Sequence, residues 1–246
     1  MDFRIFKDQN PASASYVQNE IVEQIEVKQN AIEHAKEIIK NLERERRYFG
    51  QELRKIESVE WVELGETANL IGGFAFKSES LSKEMKTGYL PVIKIGNVGR
   101  DGKLDIREAE FHMFSDDLRK FLIKKDDILV AMTGATVGKV AISDRDNLLL
   151  NQRVGLIRAK DDVSQSYLKG LTLSQNFYEY CQQTAGGGAQ GNISPSQILK
   201  YKIPIPSLEV QKQLVAEAEK EEEIITANRR LIALMEGKIS QVLAGI

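Results

Sequence analysis

The sequence predicts an α+β fold: one globular mixed α/β domain flanked by two long antiparallel coiled-coil helices. Two apolar seams and the change of pattern between them predict it. At the front, Ile21, Ile25, Lys28, Ile32, Ala35, Ile39, Leu42, Arg46, Phe49, Leu53 and Ile56 follow one another at alternating steps of four and three. At the back, Leu214, Ala218, Glu221, Ile225, Asn228, Ile232, Met235, Ile239, Val242 and Ile246 do the same. That spacing keeps one helix face apolar over several heptads. Between the seams the sequence turns to short β-prone runs punctuated by glycine and aspartate.

The elements follow in order. Residues 1–15 form a leader, and Pro11-Ala-Ser-Ala-Ser15 offers an N-cap for a first helix over residues 16–57. Gly50 is its weak spot, costing about 1 kcal/mol against alanine. A domain over residues 58–206 begins with strand-like runs: VELGETANLI, YLPVIKIGNV, DDILVAMTG, KVAISD and LLLNQRVGLIRA. A helical stretch over residues 164–184 ends at the glycine run 186–188. Ser194 then caps a short helix with Pro195 at its first position. IPIPSLEV carries the chain, extended by its prolines, into a last helix over residues 207–246.

The two long helices also align with each other. Val17-Gln18 with Val22 and Glu26 recurs as Val210-Gln211 with Val215 and Glu219, in identical spacing. Helices of roughly 40 residues each span about 60 Å, more than the diameter of a compact domain. Because one ends where the domain begins and the other starts where it ends, they run antiparallel. Setting Leu53 against Leu214 places 49 with 218, 42 with 225, 39 with 228 and 32 with 235. In this register Arg46 faces Glu221, a charge pair of the kind that fixes the alignment of a coiled coil. Arg46→Ala is therefore expected to weaken helix pairing more than Arg44→Ala. Equal melting temperatures for the two variants would dismiss this register.

Composition narrows the function. Net charge is −2, so bulk positive charge is not the means of binding anything. A single cysteine, Cys181, excludes an internal disulfide, and two histidines make a His/Cys metal site a poor fit. No run approaches the roughly 18 apolar residues of a membrane span, and the first ten residues lack a signal peptide's apolar core, so a cytoplasmic protein is expected. Gly134-Ala-Thr-Val-Gly-Lys139 superficially suggests a phosphate loop, but it has three residues between its glycines and Val140 after the lysine. Asn10-Pro11 lacks the second proline and aromatic of the amino-methylating motif, and the carboxylates form no nuclease-like cluster. No catalytic constellation is present.

What remains is a set of glycine-punctuated loops rich in amides, hydroxyls and single cations. They are Gly72–Ser78 with Lys77 and Ser78, Lys94–Asn97, Thr133–Thr136 with Lys139, Asn151–Arg153 with Gln152, and Gly186–Ser194 with Gln190 and Asn192. The candidate DNA-contacting residues are Lys77, Ser78, Lys94, Asn97, Thr133, Thr136, Lys139, Gln152, Arg153, Gln190, Asn192 and Ser194. Asn and Gln suit adenine edges, and Arg and Lys suit guanine edges and phosphates. Each residue alone also has an ordinary structural use, and Phe74 and Phe76 belong in a core. Residues 58–206 hold 19 Lys and Arg against 18 Asp and Glu, so any positive surface is local.

The stretches GGFAFKSES, LPVIKIGNV, DDILVAMTGATVGKVAI, NQRVGLIRA and GGGAQGNISPSQILKYKIPIPSLEVQKQLV resemble the specificity subunit of type I restriction–modification systems, in a half-length form. The resemblance implies a target recognition domain that reads one half of a split DNA site. It implies helices that space two such domains and dock methyltransferase subunits, and no intrinsic catalysis. Adenine-N6 methylation with S-adenosylmethionine, and cleavage driven by ATP with Mg, would belong to the methyltransferase and restriction subunits. Full-length members carry two recognition domains, so one domain on two helices implies a half-subunit that pairs as a homodimer, or a piece of a longer chain. The alternative is a coiled-coil adaptor whose globular domain binds a protein.

Overall fold

The computed structural model describes residues 11–55, 59–99, 101–161, 163–186 and 191–244, with the side chains of 11–15 and 17 outside that description. The chain divides into two compact units, one of residues 1–45 with 219–246 and one of residues 46–218.

In the first unit, α1 (Pro11–Arg46) packs with the distal part of α6 (Leu208–Ala244). The predicted seam is the covered face of both helices. On α1, Ile21, Ile25, Lys28, Ile32, Ala35, Ile39 and Leu42 are all half-buried or buried, with exposed residues between most of them. On α6, Glu221, Ile225, Asn228, Ile232, Met235, Ile239 and Val242 behave likewise. Ile32, Ala35 and Ile225 are the most enclosed. Arg229 Nη2 donates to Glu43 Oε1 across the pair at 2.8 Å, each residue one step past a seam position. Lys28 and Asn228 keep polar ends at the seam by bonding backward along their own helices, to the carbonyls of Gln24 and Ile224 at 2.9 Å each.

Helix α1 differs from its predicted span at both ends. It already includes Pro11, whose missing N–H costs nothing in a first turn. It stops at Arg46, because Gly50 adopts φ +74° and a 3₁₀ turn, Gln51–Lys55, follows. A Cβ on Gly50 would also lie 2.9 Å from Leu171 Cδ2. Phe49 and Leu53 consequently leave the helix face and join the domain core, where the Phe49 ring packs tilted against Tyr167 with ring centroids 5.7 Å apart. Leu214 also packs on that core, so the outermost predicted seam layer is core instead.

The strands of the second unit open with β1 (Glu60–Glu63) and close with β10 (Lys202–Ile205), paired antiparallel with Trp61 opposite Pro204. Chain entry and exit thus lie side by side. VELGETANLI is interrupted by a helical turn, α2 (Leu64–Thr67), where Glu63 and Glu66 form a reciprocal capping box. After it runs β2 (Ala68–Gly72). The remaining strands are β3 (Tyr89–Ile93), β4 (Glu110–Met113), β5 (Leu122–Ile123), β6 (Ile128–Ala131), β7 (Val140–Ile142), β8 (Leu148–Leu150) and β9 (Val154–Ala159). Among the described residues they make two four-stranded sheets, β2-β9-β6-β7 and β4-β3-β8-β5, in which β3 and β8 are the parallel pair.

The first sheet separates two cores. Ile128 and Val130 face one, together with Leu64, Tyr167, Phe177 and Ile198, while Leu129 and Ala131 face the other, together with Val92, Leu149 and Phe76. This explains why β6 is apolar at every position: both of its faces are covered. Phe74 and Phe76 are core residues as expected, at or beside the second cluster. The helical stretch over 164–184 is two helices, α3 (Gln165–Leu173) and α4 (Gln175–Thr184), divided at Ser174. Ser174 Oγ accepts from Phe177 N and so caps the second helix. A partly buried pair fastens the sheet. Arg158 Nε and Nη2 donate to the two oxygens of Asp127 at 2.7 and 2.5 Å, and Asp127 also accepts from Lys124 N at 2.6 Å.

A candidate nucleic-acid interface on converging loops

The antiparallel register places Gly72 opposite Gly155 and Ala131 opposite Val154. The ends of β2 and β6 and the start of β9 therefore share one edge. The parallel pairing of Ile93 with Leu150 brings the end of β3 alongside. Backbone bonds then link the loops that leave this edge. Asn151 N donates to Ile93 O at 3.1 Å, Phe74 N to Leu150 O at 2.8 Å, and Gln152 N to Phe74 O at 2.9 Å. Met132 N donates to Arg153 O at 3.0 Å, Ile193 N to Met132 O at 3.0 Å, and Gly134 N to Gly191 O at 2.8 Å. Four of the five predicted loops are linked here, the last through its described residues 191–194, and the end of β3 that leads into Lys94–Asn97 lies beside them. At one point two loops nearly touch: a Cβ on Gly73 would lie 2.1 Å from Asn151 O.

The candidate residues divide by what already holds them. Lys77, Ser78, Gln152, Arg153 and Asn192 are exposed. Thr133 and Thr136 are half-buried, Thr133 bridging to Asn192 through the backbone and Thr136 Oγ1 donating to Thr133 O at 3.0 Å. Lys139 is half-buried at the end of the same turn.

Three candidates serve the domain instead. Asn97 is buried, its Oδ1 accepting from Lys94 N and its Nδ2 donating to Asp105 O, both at 2.8 Å, so its amide is spent holding its own 3₁₀ turn. The Lys94 ammonium is paired with Glu110 on β4. Ser194 caps α5 (Pro195–Ile198), accepting from Gln197 N at 3.2 Å in the expected capping arrangement. Gln190 lies outside the described residues.

Two supporting residues have no signal in the sequence, because both act over long range. Gln182 Nε2 on α4 donates to Val137 O at 2.6 Å, and Tyr180 OH donates to Gln197 O at 2.7 Å. One helix thus braces both the 133–139 turn and the segment after Asn192. Below that turn sits Cys181, whose thiol burial pushes up to about 12, so it is a neutral packing group and no nucleophile. Among the described residues, no group of three or more His, Cys, Asp or Glu is arranged to hold a metal, and no helix is long and apolar enough to cross a membrane. The Gly134–Thr136 turn lies between β6 and β7 and opens no α-helix, so it is not a nucleotide-phosphate loop.

A mixed-charge edge of amides, hydroxyls and two exposed cations, set on interlocked backbone, is suited to polar recognition along a surface. The chain is similar to the Type I restriction enzyme StySPI specificity subunit of Salmonella potsdam, 28% identical over 152 residues, which are 60% of this chain and 32% of that protein. It is similar to the Type I restriction enzyme MjaVIII specificity subunit of Methanocaldococcus jannaschii, 30% identical over 184 residues, covering 71% of this chain and 42% of that protein. The chain therefore spans less than half the length of either relative. Its fold is that of the HsdS subunit from Thermoanaerobacter tengcongensis, with a TM-score of 0.68 at 17% identity over 92% of this chain and 56% of that one. The family described as Type I restriction modification DNA specificity domain matches residues 56–242, most of the chain, and the protein belongs to that family.

Proposed function

We propose that the protein is the DNA-recognition subunit of a type I restriction–modification complex. The second unit reads one half of a split target through Lys77, Ser78, Thr133, Thr136, Lys139, Gln152, Arg153 and Asn192. The observation that carries this reading is the backbone-linked convergence of four of the five polar loops on one edge, beside the end of β3 that leads into the fifth. Rigid loops of this kind hold amides and cations at fixed spacing, as base-edge recognition requires. The chain contributes no chemistry of its own. Adenine-N6 methylation with S-adenosylmethionine, and cleavage with ATP and Mg, fall to methyltransferase and restriction subunits.

The helix pair supplies docking and spacing. Val27 and Ile38 on α1 and Ile224 and Leu234 on α6 are exposed, with half-buried Ala31 and Leu231 continuing each stripe at helical spacing. These second apolar stripes support a homodimer through the helices, with the methyltransferase docked on the same unit. A homodimer would read a split site with two-fold symmetry. Sequencing the methylome of cells carrying this gene and its methyltransferase, against cells lacking this gene, tests the proposal. A new symmetric, interrupted adenine-methylation motif is expected, and the absence of any gained motif would refute it.

A further inference from the structure

A groove of about 600 Å³ opens beside the loop cluster, and its chemistry is that of an anion seat. Arg47, Lys139, Gln175 and Tyr178 line it, together with the backbone of Gly99 and Gly138. No carboxylate is among its lining residues. The nearest acids along the chain, Asp101 and Glu179, are exposed and engaged, with Lys103 N at 3.3 Å and Gln175 Nε2 at 2.9 Å. Thr172 and Ser174 in the wall bond back to their own helix. Thr172 Oγ1 donates to Leu168 O at 2.7 Å, and Ser174 Oγ donates to Leu171 O at 2.6 Å.

Arg47 is held in place by its backbone and not by its charge. Its carbonyl accepts from Gln175 N at 2.7 Å, while its guanidinium has no hydrogen-bond or ion-pair partner among the described residues. A guanidinium and a phenol in one wall, without carboxylates, favour a tetrahedral oxyanion. The groove is also continuous with the proposed interface. Thr133, at one end of the 133–139 turn, bridges to Asn192; Gly138 and Lys139, at the other end, line the groove. The 133–139 turn thus joins the loop cluster to the groove that Arg47 lines.

We propose that this groove binds a phosphodiester of the DNA backbone, with Arg47 as its principal contact. The proposal rests on the reading of the protein as a DNA-recognition subunit. A phosphate contact anchors the protein without reading sequence, so it acts on every duplex alike.

The test is the affinity of the full chain for a fluorescent random-sequence duplex, measured by anisotropy between about 50 and 200 mM salt. Arg47→Ala is expected to reduce the slope of log K against log salt by about one, an affinity loss of about eightfold at about 0.1 M salt. Arg47→Lys should keep most of the slope, and Lys200→Ala, on a lysine outside the groove, should leave it unchanged. Thermal melting of Arg47→Ala should match the parent. An unchanged slope in Arg47→Ala would overturn the proposal. So would inorganic phosphate at about 10 mM raising the melting temperature of the parent but not of Arg47→Ala while the slope stays the same, which would assign the groove to a small phosphate-bearing ligand. A parent chain that binds no duplex at any salt would instead remove the reading beneath it.

Discussion

Gly73→Ala is expected to cost the domain about 3 kcal/mol, while Gly72→Ala, one residue earlier, stays within about 1 kcal/mol of the parent. A Cβ at Gly73 would sit 2.1 Å from Asn151 O, 2.3 Å from Asn151 C and 2.6 Å from Leu150 O, all of them backbone atoms that no rotamer change can move. At Gly72 the same atom would meet nothing within 4 Å. Relief at Gly73 requires the two loops to part. That breaks the bonds from Phe74 N to Leu150 O and from Gln152 N to Phe74 O, at 2.8 and 2.9 Å. Differential scanning calorimetry should show a fall of roughly 6–12 °C for Gly73→Ala, given the size of the domain. On the proposed DNA-recognition role, displacing the loop that carries Gln152 and Arg153 should weaken duplex binding further than the stability loss alone accounts for. Equal melting temperatures for the two alanine variants would show that the loops are not locked at this point.

Asp127→Ala is expected to cost about 3 kcal/mol, against less than about 0.5 kcal/mol for Asp116→Ala. Both acids pair with an arginine, and burial separates them. The Asp127 side chain is 7% exposed and Arg158 32%, whereas Asp116 and Arg119 are 84% and 73% exposed. Removing Asp127 leaves a half-buried guanidinium without its carboxylate, bonded still to Leu122 O at 2.9 Å, and frees Lys124 N, while Asp116 and Arg119 exchange their contact for water at little cost. Urea denaturation at low and high salt separates the two. The Asp127→Ala deficit should persist at about 0.5 M salt, because a buried pair is weakly screened. Similar denaturation midpoints for both variants would put the Arg158–Asp127 pair among ordinary surface contacts.

Much of the architecture was legible in the residues. The heptad seams are the covered faces of α1 and α6, β6 is apolar throughout because two cores enclose it, and Ser194-Pro195 opens α5 as its capping pattern predicts. The breaks were harder to see. Glu63 and Glu66 close a helical turn inside an apparent strand, Ser174 divides one helical run into two, and Gly50 ends α1 before the seam runs out. In each, a local cap or a positive φ overrides a periodic pattern that continues past it. For the site, the five loops were recognisable from composition, but Asn97 and Lys94 were not distinguishable from Gln152 and Arg153. Which of them is spent depends on Asp105 and Glu110, partners that the fold brings in.

The paired motifs Val17-Gln18 and Val210-Gln211 draw the same line. The residues alone determined two amphipathic helices with a common seam, because heptad spacing is a local property of the chain. Only the tertiary structure gave the two glutamines different tasks. Gln211 is buried and binds Ser164 N and Pro206 O at 3.0 Å each, while Gln18 stays exposed. Identical side chains on identical spacing diverge because burial and hydrogen bonding depend on what packs against them. That packing is set by contacts between residues far apart in the chain, which no local pattern encodes.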